Sequence, residues 1–271
     1  DIIKSMYVSH DATLSTKRSV KAGVPQGSVL GPSLYLLYTA DIPTSTNTKI
    51  CSFADDTSIL AVDKCPKKAS MYLQSHVDRV IDWAEIWQLN LNHTKSVHVT
   101  FALRKGNCDP ILINGSAVPQ AEVVRSLGLH LDRRLTWKPH IDARLMHARL
   151  RLGELSGILS SRLSIGLKVL LIRAVISPIL TYGIELWGDC CHSLFSSVES
   201  FYTKSIRRAI GAPWFVRNSI ILRDTNMRPL REIAEQRRSN YKAALENHTN
   251  LEAHSLLRDR GFRRLKRKPA V

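Results

Sequence analysis

Two adjacent carboxylates, Asp55 and Asp56, are the residues of this sequence whose type and spacing most clearly indicate chemistry. They lie between two β-prone runs, residues 49–53 and 57–62, which predicts a hairpin with an acidic tip. Neighbouring carboxylates repel each other, and a divalent cation would offset that repulsion. Their hard oxygen ligands suit Mg²⁺ and two-metal phosphoryl transfer. From these residues alone the alternative is an acidic surface turn, because Asp is common in turns.

A loop and an apolar helix precede this tip. Residues 23–27, Gly-Val-Pro-Gln-Gly, have the composition of a loop, and a hairpin is predicted within residues 6–22. A helix is predicted from Ser28 to about residue 40, because Ser28 suits an N-cap and Pro32 is tolerated in a first turn. The apolar residues that would share one face of this helix are Leu30, Leu34 and Leu37.

Along the rest of the chain, the predicted secondary structure changes from mixed α+β to all-α near Pro139. Before it, helical periodicity covers residues 69–87 and alternation predicts a strand at 97–101. A further hairpin is indicated around Asn114-Gly115, and residues 126–131 form another β-prone segment. After it, helices are predicted at about residues 141–159, 164–176, 194–210 and 229–247.

Charge is distributed unevenly along the 271 residues. The formal net charge is +16; residues 1–100 hold 10 Lys+Arg and 9 Asp+Glu, so the remainder holds 29 and 14. A strongly basic second part predicts a polyanionic partner, with nucleic acid as first candidate and an anionic membrane as rival. Excess charge could also serve only solubility. Residues 258–268 contain seven Lys/Arg and one Asp, a segment that would contact nucleic acid or act as a nuclear-import signal.

Other function classes are disfavoured. The five cysteines form no C-x-x-C pair, so neither a disulfide framework nor a zinc module is predicted. The most apolar stretch, residues 163–187, contains three charged residues and a proline, which predicts a buried helix rather than a membrane span. The first residues lack the pattern of a signal peptide. We therefore expect an intracellular location, nuclear or cytoplasmic, without secretion or a membrane partner.

These motifs, in this order, resemble those of reverse transcriptases. Residues 21–32 resemble the loop-and-helix motif near the template and incoming nucleotide, and residues 53–56, Phe-Ala-Asp-Asp, resemble the aromatic-x-Asp-Asp turn. Residues 87–95 look like the next motif of the family, and residues 126–131 look like its primer-grip hairpin. Residues 182–188 resemble a segment after the palm in Jockey-like non-LTR retrotransposons. The resemblance covers nearly the whole chain and is to the C-terminal part of such an enzyme.

The resemblance implies an RNA-directed DNA polymerase that works by two-metal nucleotidyl transfer. Asp55 and Asp56 would hold Mg²⁺ or Mn²⁺, and Lys95 would lie near the pyrophosphate, which it could protonate or neutralise. From its type alone, Lys95 could equally be an exposed lysine after a helix. The implied partners are an RNA template, a DNA primer and deoxynucleoside triphosphates.

The resemblance also implies binding sites for nucleic acid and nucleotide. Gln26 and Gly27 would lie against the template–nucleotide pair, and Phe53 would lie beside the primer end. Leu127 and Gly128 would belong to the primer grip, where glycine permits a tight turn. Gly27 could otherwise be a simple loop glycine, and Phe53 could be a core aromatic.

The implied fold class is α+β. Residues 1–132 would form a partial polymerase palm, an antiparallel sheet with helices; 133–190 would form a thumb-like helical region and 191–271 a basic helical region. Thumb arginines would bind the phosphate backbone and contribute affinity rather than base specificity. The candidates, each of which could instead lie on a solvated helix face, are Arg144, Arg149, Arg151 and Arg162.

One family feature is missing. A further aspartate is expected well upstream of the 23–27 loop, yet only 22 residues precede it, and their only carboxylates are Asp1 and Asp11. Two metals need ligands from more than one turn. We therefore expect the chain to be a polymerase fragment that is inactive alone. The alternatives are a non-catalytic nucleic-acid-binding remnant and a protein-interaction module that uses the helical half.

Overall fold

The computed structural model describes residues 5–6, 9–10, 13–19, 27–103, 108–250 and 252–254. The chain divides into two compact units, one formed by residues 1–96 with 107–119 and the other by residues 97–106 with 120–271. Gln26, the two N-terminal aspartates and the basic segment 258–268 lie outside the described residues. Within the described parts, no helix is both long and apolar enough to cross a membrane.

The first unit begins with short pairs of antiparallel strands, followed by one helix. The predicted hairpin is confirmed by two antiparallel pairs: β1 (Ser5–Met6) with β4 (Arg18–Ser19), and β2 (Ser9–His10) with β3 (Thr13–Leu14). The first helix, α1, spans Gly31–Tyr38 and carries Pro32 in its first turn. The helix was expected to begin with Ser28 as its N-cap, but its N-cap is Leu30, which makes no side-chain capping bond. The Ser28 hydroxyl accepts the Gly31 N–H at 3.0 Å just ahead of the helix.

The acidic hairpin follows α1. Its strands, β5 (Thr48–Phe53) and β6 (Asp56–Ala61), pair antiparallel along their whole length. After α2 (Pro66–Ile86), a further hairpin is formed by β7 (Leu112–Ile113) and β8 (Ser116–Ala117). Its turn residues, Asn114 and Gly115, both have positive φ, the conformation that makes Asn-Gly a hairpin signal. Both predicted hairpins are confirmed.

The core of the first unit is small and is supplemented by polar contacts. Partly buried residues of α2 pack against a buried apolar cluster of Ile111, Ile113 and Val118. His76 on α2 is also buried, with one ring nitrogen 2.5 Å from Thr48 Oγ1 and the other 2.8 Å from the Pro43 carbonyl. These bonds fasten the long helix to the start of the strand that leads to the acidic turn.

The second unit is a hairpin followed by helices. The predicted hairpin is formed by β9 (Val123–Ser126) and β10 (Leu129–Asp132). The helices are α3 (Lys138–Glu154), α4 (Ser156–Ser160), α5 (Ile165–Leu171), α6 (Ser177–Thr181), α7 (Ile184–Trp187), α8 (His192–Ile210), α9 (Asn218–Asp224) and α10 (Leu230–Glu246).

One apolar core joins these helices. On α3 the predicted stripe is buried at Ile141, Leu145, Ala148 and Leu152. These positions recur at the spacing of one face of an α-helix, so they can all pack inward. The core runs from Trp137 to Ala234, and it therefore draws on both the 133–190 and the 191–271 regions. The domain boundaries after residues 132 and 190 stay predictions.

Three details differ from the expectations. Among the described residues, the short strands form five two-stranded ladders rather than one antiparallel sheet. The strand expected at 97–101 is only an isolated parallel bridge between His98 and Gln120, because β-pairing needs a neighbouring strand and none of the described strands pairs with these residues. The helix expected at 164–176 ends in a π-helical turn, Ile172–Ile176. Pro178, which follows, has no N–H to donate, and such a missing bond favours a local change of helical pitch.

Candidate metal and nucleic-acid site

The acidic turn consists of Ala54 and Asp55 between the paired residues Phe53 and Asp56. Ala54 has a φ of +51°, in the left-handed region, which costs a residue with a Cβ roughly 1 kcal/mol. The Tyr35 hydroxyl on α1 donates to the Ala54 carbonyl at 3.0 Å. The helix of the loop-and-helix motif is thereby bonded to the turn that carries the carboxylates.

The side chains of this turn are open to solvent. Asp55 and Asp56 are exposed, and Phe53 is 66% exposed, so it is not a core aromatic. No hydrogen bond or ion pair from the described residues reaches either carboxylate. Both can therefore accept a cation, and their donor chemistry fits Mg²⁺. Within the described part of the chain, no group of three or more His, Cys, Asp or Glu could hold a metal ion.

Two other predicted site residues lie in turns of the first unit. Gly27 has a φ of +81° and open space where a Cβ would be, so conformation rather than crowding requires glycine there. Lys95 is exposed in a turn that Asn92 organises, since Asn92 Oδ1 accepts the N–H groups of Thr94 and Lys95 at 3.0 and 3.2 Å. Among the described residues, no hydrogen bond or ion pair joins Lys95 to the acidic turn.

Sequence reasoning missed Asp41, which ties the end of α1 to α2. Its two carboxylate oxygens accept the indole N–H groups of Trp83 at 2.9 Å and Trp87 at 3.2 Å. Tyr38 adds a second link, with its ring 4.7 Å from the Trp87 ring and its hydroxyl donating to the Trp87 carbonyl. No local pattern could have indicated these bonds, because the partners lie more than 40 residues apart in the chain.

The predicted primer-grip residues, Leu127 and Gly128, form the turn of the second unit's hairpin, called the grip turn below. Their φ angles are +47° and +78°. The Tyr182 hydroxyl donates to the Leu127 carbonyl at 2.5 Å, and a Cβ on Gly128 would lie 3.2 Å from the Tyr182 ring. A Cβ on Gly183 would come within 2.6 Å of Leu129 Cδ2. The segment that begins at Tyr182 therefore holds the grip turn in place.

His140 is fully buried and supports the same hairpin. Its Nε2 faces the Tyr182 carbonyl at 3.3 Å, and its Nδ1 accepts the His130 backbone N–H at 3.4 Å. A neutral ring with the proton on Nε2 satisfies both bonds. Burial lowers the pKa of His140 to about 4, and the charge of Arg144 contributes in the same direction. The ring is therefore neutral near pH 7 and acts as a structural link.

Of the four arginines predicted to bind the phosphate backbone, Arg162 is exposed and the other three differ in their surroundings. The guanidinium carbon of Arg144 lies 5.7 Å from the centre of the Tyr182 ring, and its Nε is buried with no hydrogen-bond partner in the described structure. Arg149 is exposed, 5.9 Å from the centre of an aromatic ring. Arg151 forms a 2.7 Å ion pair with Glu154, an exposed contact of small energetic weight. Arg149 and Arg151 are therefore the more accessible to phosphate.

The comparison with known families agrees with this geometry. Residues 1–131 match the family described as "Reverse transcriptase (RNA-dependent DNA polymerase)". An exposed Asp-Asp turn bonded to a preceding helix, in a chain with this match, defines an enzyme family of nucleotidyltransferase type.

Curated relatives narrow the family. The chain is 34% identical over 263 residues to the RNA-directed DNA polymerase from mobile element jockey of Drosophila melanogaster, covering 93% of this chain and 29% of that protein. It is also 34% identical over 268 residues to the "Probable RNA-directed DNA polymerase from transposon X-element" of the same species, covering 96% and 30%. The chain thus spans about 30% of the length of these relatives. No solved structure matches significantly. Residues 1–131 therefore belong to the reverse transcriptase family, and over nearly its whole length the chain is similar to polymerases of non-LTR retrotransposons, as the motifs predicted.

Proposed function

We propose that this chain is the part of an RNA-directed DNA polymerase that carries the Asp-Asp turn and the helices that hold the primer. The intact polymerase would copy an RNA template by extending a DNA primer with deoxynucleoside triphosphates. The observation that carries the proposal is the exposed turn bearing Asp55 and Asp56, which Tyr35 bonds to the helix of the preceding motif.

Asp55 and Asp56 would hold Mg²⁺ or Mn²⁺. When bound, such ions stabilise charge on the phosphoryl oxygens and help to ionise the attacking hydroxyl. Both carboxylates are exposed and have no competing bond within the described structure, which supports this role. Two ligands on one turn are fewer than two ions require, so a further carboxylate is needed and the isolated chain should be inactive.

The remaining residues of the first unit would bind the substrates. Gln26 and Gly27 would lie against the template–nucleotide pair, and the positive φ of Gly27 favours glycine at that position. Phe53, with its exposed ring, would lie beside the primer end. Lys95 would approach the pyrophosphate from the turn that Asn92 organises, and neutralise charge that develops on the leaving group.

The second unit would hold the primer and template. In this proposal residues 1–132 are the palm and the following helices form the thumb and the basic C-terminal region. Leu127 and Gly128 would contact the primer, because Tyr182 holds their backbone in a fixed turn. Arg149 and Arg151 would bind phosphates, and Arg144 would stabilise the position of Tyr182 through its contact with the face of the ring. Such contacts supply affinity without sequence preference.

A second candidate is nucleic-acid binding without catalysis. Two observations favour it: the described structure offers only two ligands at the acidic turn, and the residues after 100 hold 29 Lys+Arg against 14 Asp+Glu. The first candidate predicts DNA synthesis when this chain is part of an intact polymerase, whereas the second predicts binding alone. A single experiment can therefore distinguish them.

The test is a chimera in which this chain replaces the aligned segment of the jockey polymerase. It should extend a DNA primer on an RNA template with Mg²⁺, whereas the isolated chain should bind the hybrid and extend at background rate. Asp55→Asn should remove the activity of the chimera. Asp109→Asn, which changes another exposed carboxylate of the same unit, should not. If the chimera folds and binds the hybrid but does not extend the primer, the second candidate, binding without catalysis, is favoured. If the isolated chain synthesises DNA and Asp55→Asn abolishes that synthesis, the expected inactivity of the isolated chain is contradicted.

A further inference from the structure

The loop between α8 and α9 exposes two large aromatic side chains. Trp214 is 88% exposed and Phe215 is 69% exposed. Their ring centroids lie 6.0 Å apart with the planes at 81°, so the two rings form an edge-to-face pair. Aromatic side chains are normally buried or placed at interfaces, because their large apolar surface is unfavourable in water. This pair therefore has the character of a binding surface.

The loop is rigidly supported although its rings are exposed. Arg207, in the last turn of α8, donates to the carbonyls of Pro213 and Val216, the second at 2.7 Å, and to Asn218 Oδ1 at 2.9 Å. Val216 also packs against the apolar core of the unit. One guanidinium thus spans the base of the loop, and little conformational freedom would be lost when the rings bind a partner.

The chain around the loop is strongly cationic. Residues 200–223 contain no Asp or Glu. Their basic residues are Lys204, Arg207, Arg208, Arg217 and Arg223, of which Arg223 pairs with Asp224 at 3.0 Å. Arg208 and Arg217 are exposed and form no ion pair with the described residues. A partner must therefore combine negative charge with flat apolar faces, and unpaired nucleotides have both.

We propose that the Trp214–Phe215 loop is a base-stacking site for single-stranded nucleic acid. The two rings stack on unpaired bases, Arg208 and Arg217 contact neighbouring phosphates, and Arg207 is the positioning residue. A duplex hides its base faces, so the site takes single strands, and it tolerates any sequence because every base has a π face. The inference rests on the proposed function, since it takes nucleic acid as the partner, and it adds stacking to the phosphate contacts of the helices.

The test compares binding of the full chain to a labelled oligothymidylate of about 12 nucleotides, within the range that such sites cover, and to a blunt duplex of equal length. Trp214→Ala should weaken single-strand binding about tenfold and duplex binding by less than about twofold, because only the single strand stacks. Leu150→Ala removes another exposed apolar side chain of the same unit and should change neither affinity.

Two further readouts separate stacking from charge. The salt dependence of single-strand binding should be unchanged in Trp214→Ala, whereas Arg217→Ala should reduce its log–log slope by about 0.7, the value for one phosphate. Stacking also quenches indole emission, so the oligothymidylate should quench tryptophan fluorescence of the unmodified chain. Trp214→Phe should retain binding, because it keeps a ring, and lose most of that quenching.

The outcomes distinguish this site from the function on which it rests. If neither oligonucleotide binds at low salt, the nucleic-acid role of the unit fails together with the site. If both bind and Trp214→Ala weakens neither, the stacking site alone is overturned. If Trp214→Ala weakens binding to phosphatidylserine vesicles and leaves oligonucleotide binding intact, the loop is a membrane contact and the proposal is also overturned.

Discussion

The acidic turn of the first unit and the grip turn of the second begin alike. Each has two residues, and the first of them has positive φ, +51° at Ala54 and +47° at Leu127. In each, the carbonyl of this first residue accepts a tyrosine hydroxyl from the same unit, from Tyr35 at 3.0 Å and from Tyr182 at 2.5 Å. Two hairpins of different proposed function therefore share the same backbone conformation at the first turn residue and the same kind of tyrosine hydrogen bond.

Their surroundings differ. The acidic turn exposes both carboxylates and the neighbouring Phe53 ring. The grip turn, in contrast, has the Tyr182 ring against Gly128 and the buried His140 bonded to the hairpin. Neither carboxylate of the acidic turn bonds to a described residue, whereas contacts from the folded unit hold the grip turn. The two turns thus differ in how much support they receive from the rest of their units.

The largest expected effect is loss of activity at the acidic turn. In the chimera, Asp55→Asn should lower primer extension at least about 10³-fold, equivalent to roughly 4 kcal/mol in the barrier, because a metal ligand is lost. The melting temperature of the isolated chain should not change, since Asp55 is exposed and has no bond to the described residues. A clear fall in melting temperature would show that this turn, too, is part of a folded core.

A large effect on stability is expected at the grip turn. Gly183→Ala should lower the free energy of unfolding by roughly 1–2 kcal/mol, mainly because an alanine at positive φ is strained, and the Leu129 side chain that its Cβ would meet at 2.6 Å would have to move. Gly157→Ala, in α4 with open space around it, is the matched control and should be neutral or slightly stabilising. Equal behaviour of both variants in chemical denaturation would contradict the proposed support of the hairpin.

The pH dependence of stability should report on His140. Its pKa is lowered to about 4 in the folded chain from 6.5, so the unfolded chain binds more protons between these values. The stabilisation is therefore complete above pH 6.5 and is lost as the pH falls towards 4, by roughly 2 kcal/mol after allowance for screening. His140→Gln should flatten this part of the curve of unfolding free energy against pH. An unchanged curve would mean that other groups carry the dependence.

The smallest effect tests the two tyrosine bonds against each other. Tyr182 and Tyr35 are both exposed, and so are Leu127 and Ala54, so water can replace either hydroxyl at the carbonyl that it reaches. Tyr182→Phe and Tyr35→Phe should therefore each lower the free energy of unfolding by about 0.5 kcal/mol or less. A loss of about 1 kcal/mol or more in Tyr182→Phe, measured by chemical denaturation, would show that the grip turn depends more on its tyrosine bond than the acidic turn does.

Local patterns were sufficient to predict the hairpins and most helices. Asn114-Gly115 marks a turn because Asn and Gly tolerate positive φ, and the structure has both residues in that conformation. The stripe from Ile141 to Leu152 predicted a buried helix face for the same kind of reason, since its spacing reflects one turn of helix. The order of motifs around Asp55 also identified the family, and the matched families and relatives confirmed it.

The supports of both turns could not be predicted in this way. Tyr182 bonds to a residue 55 positions earlier, and His140 bonds to a carbonyl 42 positions later, so no periodicity or turn signal connects the partners. The strand expected at residues 97–101 failed for a related reason, because β-propensity depends on which neighbouring strand is present to pair. Short-range geometry sets the shape of each hairpin, but packing between distant segments decides which tyrosine, histidine or glycine holds it.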